Sequence, residues 1–277
     1  MADYPALEIA FRASTDPYLR DRLYAQLDEF APIAIQEDET DAAAHRWRVF
    51  FRSASSRDAA REALAADASV EASPVEVPDG DWARRSQNSL KAIDAGGLII
   101  APPWDVPTGK PVIVIEPSTG FGTGHHATTR LCLLLLQQLE VRGARVLDIG
   151  TGSGVLALAA WKLGAGDVVA IDNDPDALDN ARDNIARNGA APSIDIIRDD
   201  LGGLRIQRAD IVLANLTGAV LVRYAAELRS LAVDGGYVIL SGFAPEDIAV
   251  IRTAFAGLEL IEERVEEEWA ALSLRLS

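Results

Sequence analysis

A chain of 277 residues has room for one full α/β domain and a smaller companion, and its 49% hydrophobic and 25% charged residues are those of an ordinary globular protein. The single Cys132 excludes an intrachain disulfide framework. The net charge is −16, and residues 1–80 carry half of that excess, with 16 acids against 8 bases. Such a surface disfavours direct nucleic-acid binding and favours a basic partner, although charge kept for solubility alone would give the same imbalance. No aliphatic run approaches the roughly 20 residues of a membrane span. The opening stretch has no basic segment followed by an apolar one, so a reducing, cytoplasmic location and no membrane partner are expected.

Residues 1–78 alternate short strands and helices. Leu7 to Ala13 reads as a strand, Pro17 to Phe30 as a helix, and Pro32 to Gln36 and Arg46 to Arg52 as strands around a polar turn. Ser56 to Ala66 reads as a helix and Val70 to Val77 as a last strand. The order β-α-β-β-α-β predicts a small α+β, ferredoxin-like domain with both helices on one sheet face. It holds no catalytic constellation: His45, beside Trp47, has no partner in sequence and reads as a strand-edge residue rather than a base. This domain is expected to be a recognition module.

Residues 79–97 read as a linker in which Asp81 caps a short helix, Trp82 to Ile93, and residues 98–277 as the second domain. Leu98 to Ala101 and Val112 to Ile115 look like a strand pair joined by a proline-rich loop. Trp82 and Trp104 fit either a substrate groove or, more commonly for tryptophan, packing of the linker. Glu116 to Thr129 then gathers three glycines, four threonines and the pair His125-His126 ahead of an apolar helix, Thr128 to Leu139. Such a loop packs little, so a ligand-facing role is expected, with hydroxyls and amides near a helix N-terminus able to hold a carboxylate. Adjacent histidines on a loop rarely share one ion, and no metal is expected.

Arg145 to Asp172 is the centre of the chain. A β-branched run ending in Asp148-Ile149 meets the turn Gly150-Thr151-Gly152-Ser153-Gly154. The helix Val155 to Leu163 and a second strand, Val168 to Ile171, follow, and Asp172 closes the unit. Strand, glycine turn, helix, strand and terminal acid make a β-α-β unit that holds a nucleoside. Glycines let backbone amides come close, and a carboxylate at the next strand end accepts from ribose hydroxyls. The rhythm continues with a helix Pro175 to Asn188 capped by Asp174, strands Ile194 to Ile197 and Ala209 to Asn215, and a helix Ala219 to Leu231. A strand Gly236 to Leu240, a helix Glu246 to Phe255 and a hairpin of Leu258 to Val265 with Trp269 to Leu276 complete it. In such a sheet ligands bind at the strands' carboxyl ends, where Gly150, Asp172, Asp199-Asp200 and Asn215 all fall.

Glycine spacing chooses among nucleosides. A dinucleotide fingerprint places its third glycine three residues after the second, whereas Gly154 follows Gly152 by two. Asp148, just before the turn, would repel a pyrophosphate and attract the ammonium and sulfonium of S-adenosylmethionine. A methyltransferase is therefore favoured over a dehydrogenase.

On these residues the chain resembles the PrmA family, methyltransferases of large-subunit ribosomal protein eleven. The matching stretches are FGTGHHATT (Phe121 to Thr129), VLDIGTGSG (Val146 to Gly154), AIDNDPDALDNARDN (Ala170 to Asn184), ANL (Ala214 to Leu216), LSGF (Leu240 to Phe243), the segment Asp81 to Trp104 and the terminal Glu266 to Leu274. The resemblance covers residues 81–277, and the front domain fits by element order. It implies a class I S-adenosylmethionine-dependent methyltransferase, with a Rossmann-like, mainly parallel sheet closed by an antiparallel hairpin. It further implies methyl transfer to lysine and N-terminal amines of that ribosomal protein, by a chain expected to be monomeric. Thr129, Gly150, Asp172 and Asn215 match cofactor-binding positions. Asp148, Gly152, Thr123 and Asp200 (or Asp199, toward the adenine) are expected to join them, with Asn215 and His126 orienting the acceptor amine and no general base assigned. Departures flank the acceptor side: Pro117-Ser118-Thr119-Gly120 before the loop, and Thr217-Gly218 after Asn215-Leu216. A different protein acceptor, a small-molecule acceptor with the front domain as a lid, and a non-catalytic cofactor binder are the alternatives.

Overall fold

The computed structural model describes residues 4–12, 19–28, 30, 32, 34–38, 44–51, 53–65, 67, 69–77, 90–116 and 126–277. The chain divides into two units, Met1–Leu90 and Lys91–Ser277.

In the first unit the elements are β1 (Tyr4–Arg12), α1 (Leu19–Asp28), β2 (Ala34–Asp38), β3 (Ala44–Phe50), α2 (Ala54–Leu64) and β4 (Val70–Val77). The strands form an antiparallel sheet in the order β2-β3-β1-β4. Alternation along β1 puts Leu7, Ile9 and Phe11 on one face, and the four-residue spacing of Leu19, Leu23 and Leu27 puts these on one side of α1. These two rows meet Ala60 and Leu64 of α2 in a single buried cluster with Trp47 and Val49. Ser53 caps α2 by accepting from the Ser56 amide at 3.1 Å. His45 is not alone: its ring centre lies 5.3 Å from that of Phe11.

The second unit opens with a small sheet of β5 (Ile93–Ala95), β6 (Leu98–Ala101) and β7 (Val112–Val114), antiparallel between the first two strands and parallel between the last two. Residues 78–89, and with them most of the expected linker helix, lie outside the described residues. The end of that expectation is corrected: Leu90 to Ala92 are irregular and Ile93 opens a strand. The reason is the turn Gly96-Gly97, which Gln137 grips from both sides. Its amide nitrogen donates to the Ala95 carbonyl at 2.7 Å, and its oxygen accepts from the Gly97 amide at 2.6 Å.

The main elements follow: α3 (Ala127–Leu136), β8 (Arg145–Ile149), α4 (Val155–Lys162), β9 (Asp167–Asp172), α5 (Pro175–Arg187), β10 (Ile194–Arg198), β11 (Ala209–Asn215), α6 (Gly218–Arg223), α7 (Ala225–Leu231), β12 (Ala232–Phe243), α8 (Ile248–Ala254), β13 (Leu258–Glu266) and β14 (Trp269–Leu276). The sheet runs β10-β9-β8-β11-β12-β14-β13, parallel through the first five strands and antiparallel in the last two. Its two faces bury separate cores. Val146 and Val168 belong to the core beneath α3, α4 and α5, and Leu147 and Val169 to the core beneath α7 and α8. The helix expected over Ala219 to Leu231 is broken at Tyr224, where φ is −110°. There the tyrosine ring packs over the loop after β10, so close that a Cβ on Gly202 would lie 3.2 Å from it. The helix expected from Glu246 begins as a 3-10 turn, Pro245–Asp247. No helix among the described residues is long and apolar enough to cross a membrane.

Candidate active site

The carboxyl ends of β8, β9, β10, β11 and β12 place Gly150, Asp172, Asp199, Asn215 and the Ser241–Phe243 segment along one edge of the sheet. The turn after β8 is tight: Gly150, Gly152 and Gly154 have φ of 70°, 54° and 80°. It is tied to the neighbouring strand, because the amides of Gly150 and Thr151 both donate to the Ile171 carbonyl, at 2.9 and 3.0 Å. Gly150 carries a left-handed backbone that favours glycine, and a side chain there would have to displace Leu216. A Cβ there would lie 2.4 Å from Cδ2 of Leu216, on top of the cost of a left-handed backbone.

Asp148 is 1% exposed. One carboxylate oxygen accepts from the Thr151 hydroxyl at 2.6 Å and the Ala157 amide at 3.0 Å, fastening the turn to the first turn of α4. The other oxygen has no hydrogen-bond partner among the described residues. Burial, only partly offset by these two donors, pushes its pKa up to about 6. The carboxylate is thus a buried negative charge directly behind the glycine turn, with no cation paired to its second oxygen among the described residues.

Asp172 ends β9 with its carboxylate already oriented: one oxygen accepts from the Gly152 amide and the other from the Asp174 amide, each at 3.0 Å. The acid at the strand end and the glycine turn are therefore parts of one hydrogen-bonded assembly. Asp199 and Asp200 follow β10 and are exposed. Asp199 accepts from the Asp200 amide, and Asp200 from the Gly202 amide, both at 2.8 Å. The Asn173 amide group stands 3.5 Å from the second Asp200 oxygen.

On the other side, His126 caps α3. Its Nδ1 accepts from the Thr128 amide at 3.4 Å and lies 2.8 Å from the Thr128 hydroxyl, and its ring meets Trp269 edge-on at 4.7 Å. The residue is exposed, yet packing of the ring, followed by the nearby Arg130 guanidinium, lowers its pKa. The lowered pKa favours the neutral ring near pH 7. One helical turn on, Thr129 is buried, and its hydroxyl is 3.4 Å from Nδ2 of Asn215 at the end of β11. Thr123 and His125 lie outside the described residues. Among those described, no three His, Cys, Asp or Glu side chains are grouped to hold a metal.

Sequence reading overlooked the residues that brace this edge. Asn184, fully buried, donates to the Ser153 carbonyl at 3.0 Å and accepts from the Glu116 amide at 2.8 Å. Asn188 takes both the amide and the carbonyl of Val114, at 2.9 and 2.7 Å, as a neighbouring strand would. Their signal was available in the four-residue spacing of Asn180, Asn184 and Asn188 along one face of α5. Gly242 is a third: a Cβ on it would sit 2.2 Å from the Leu216 carbonyl oxygen, so only glycine lets the β11 and β12 loops approach.

A seven-stranded sheet of this order, a glycine cradle and a lone buried carboxylate oxygen define a class I S-adenosylmethionine-dependent methyltransferase. The comparisons with known proteins agree. The family described as "Ribosomal protein L11 methyltransferase (PrmA)" matches residues 18–277, and the chain belongs to that family. A protein named ribosomal protein L11 methyltransferase from Pelotomaculum thermopropionicum is 40% identical over 206 residues, covering 72% of this chain and 67% of its own length. One of the same name from Deinococcus radiodurans is 36% identical over 225 residues, covering 73% and 82%. The crystal structure of a ribosomal protein L11 methylase from Lactobacillus delbrueckii subsp. bulgaricus superposes with a TM-score of 0.62 at 28% identity, over 68% of this chain and 99% of that one.

Proposed function

We propose that the chain methylates amino groups, lysine side chains and the N-terminal amine, of ribosomal protein L11 in the cytoplasm, acting as a monomer without binding nucleic acid directly. The observation that carries this reading is the extent of the family match, which begins at residue 18 and so takes in the small front unit as well as the cofactor unit. The net charge of −16 suits a basic acceptor, and residues 1–78 are assigned its recognition, residues 79–97 the linkage and residues 98–277 the chemistry. Gly150, Gly152 and Thr129 would line the methionine end of the cofactor, Asp148 would face its positive charge, Asp172 would hold the ribose, Asp200 the adenine side, and Thr123 would join from its loop.

The bound cofactor supplies an electrophilic methyl carbon; the chain supplies position and solvent exclusion. A free lysine with a pKa of about 10.4 is neutral roughly once in 2,500 molecules at pH 7, a deficit of about 4.6 kcal/mol. Burial of the amine offsets part of this by disfavouring its charged form. Asn215, held by the sheet on one side and near Thr129 on the other, is assigned to accept from the amine and aim its lone pair. His126 is assigned with Asn215 to orient the acceptor amine, and no general base is assigned. To test the acceptor, the chain is incubated with methyl-labelled S-adenosylmethionine and L11, free and in assembled ribosomes. Label in L11 is expected. An unlabelled L11 alongside labelled small molecules from a cell extract would reject the reading.

A further inference from the structure

Three separate contacts converge on Leu216. Its Cδ2 occupies the space above Gly150, 2.4 Å from where a Cβ would be. Its own backbone fills the corresponding space at Gly242, with its oxygen, carbon and nitrogen 2.2, 2.7 and 3.1 Å from the Cβ position. Its amide donates to the Ser241 carbonyl at 2.9 Å. Leu216 is thus clasped between the first glycine of the cofactor turn and the glycine of the β12 end, both with positive φ. The residue before it, Asn215, is fixed in register opposite Ser241 and reaches the Thr129 hydroxyl.

We propose that Leu216 is a positioning residue that locks the Asn215 loop to Gly150, so that the acceptor-orienting side chain is aligned by the same glycine that cradles the cofactor. The physical basis is that close-packed contacts without voids transmit displacement, whereas a cavity at that point would absorb it. At Gly242 the contact is with the Leu216 backbone and excludes a Cβ outright, whereas at Gly150 a Cβ would have to push the Leu216 side chain aside. The glycine turn and Asn215 are thereby coupled through one side chain. The proposal rests on the methyltransferase reading for its kinetic consequence, but the contact itself is tested without any acceptor.

The test is a double-mutant cycle read by calorimetric titration with S-adenosylhomocysteine. Gly150→Ala weakens binding on the order of a hundredfold, a clash added to a strained backbone. Adding Leu216→Ala removes the clash and recovers roughly tenfold, because coupled neighbours are non-additive. Leu216→Ala alone changes affinity less than about threefold and lowers kcat on the order of tenfold, and Leu216→Met restores kcat, since placement rather than chemistry is lost. An identical affinity for Gly150→Ala with and without Leu216→Ala would overturn the lock. Should Gly150→Ala not fold, the single variants decide: affinity and kcat falling together in Leu216→Ala, with no rescue by Leu216→Met, would also overturn it. If wild-type chain binds the cofactor product but labels no L11, the acceptor reading fails and the binding cycle still stands.

Discussion

The two sides of the active-site edge are built differently. On the cofactor side, the turn from Gly150 to Gly154 is held by Asp148, Asp172, Asn184 and the Ile171 carbonyl through hydrogen bonds of 2.6 to 3.0 Å, nearly all from or to backbone. On the acceptor side, Asn215 meets Thr129 at 3.4 Å, at the long end of hydrogen bonding, while Nδ1 of His126 lies 2.8 Å from the Thr128 hydroxyl and 3.4 Å from the Thr128 amide. A nucleoside cofactor is the same in every turnover, so its cradle is preformed. An acceptor amine arrives on a macromolecule, and groups that aim it need room to tighten once it is bound.

This contrast can be broken from either side. The largest effect is expected for Asn215→Ala, which removes the orienting carbonyl. kcat should fall roughly a hundredfold while cofactor affinity stays within about threefold, as steady-state kinetics and calorimetry on the same preparation would register. Asn215 is also a candidate cofactor position, and a loss of affinity as large as the loss of kcat would make that its main role. Next is Asp172→Ala, which removes a charged group and two amide contacts. It should weaken cofactor binding by about 1–3 kcal/mol with little change in kcat at saturation.

The pH dependence separates Asp148 from the rest. Its folded pKa of about 6 lies above the ordinary carboxylate value of about 4, so between these limits the folded chain binds more protons than the unfolded one. Its contribution to stability therefore falls as pH rises through that window and is constant above it. Cofactor affinity runs the opposite way, because a positively charged ligand favours the ionised form, and should drop as pH falls below about 6. Asp148→Asn should flatten both profiles relative to wild type, in chemical denaturation and in calorimetry. An unchanged affinity profile would show that the bare oxygen does not face the ligand. The smallest effect is expected for His126→Ala, which removes a helix cap worth about 0.5–2 kcal/mol of stability. It should lower the melting temperature by a few degrees and leave cofactor binding intact.

Much of this edge was legible in the sequence because the signals are local. The run Ala209 to Asn215 and the strand Val70 to Val77 are observed with the bounds expected, and the terminal hairpin closes the sheet as its two alternating segments predict. Glycine spacing and the two acids, Asp148 and Asp172, pointed to the cofactor. What escaped reading depends on contacts across long stretches of chain. The strand Ile93–Ala95 exists because Gln137, some 40 residues on, holds its turn. The helix break at Tyr224 reflects a ring resting on Gly202. Asn184 and Leu216 look like an ordinary helix residue and an ordinary loop residue until Ser153, Glu116, Gly150 and Gly242 are brought around them.

The proposed reaction is transfer of a methyl group to amines of ribosomal protein L11 by an edge that Asn215 aims and the glycine turn supplies. Tandem mass spectrometry of L11 after incubation with S-adenosylmethionine and either wild-type chain or Asn215→Ala tests it most directly. The predicted result is added methyl mass on lysine side chains or the N-terminal amine with wild type, and its near absence with the variant at equal cofactor occupancy. Methyl groups on carboxylate, ring or amide atoms, or equal modification by both proteins, would contradict it.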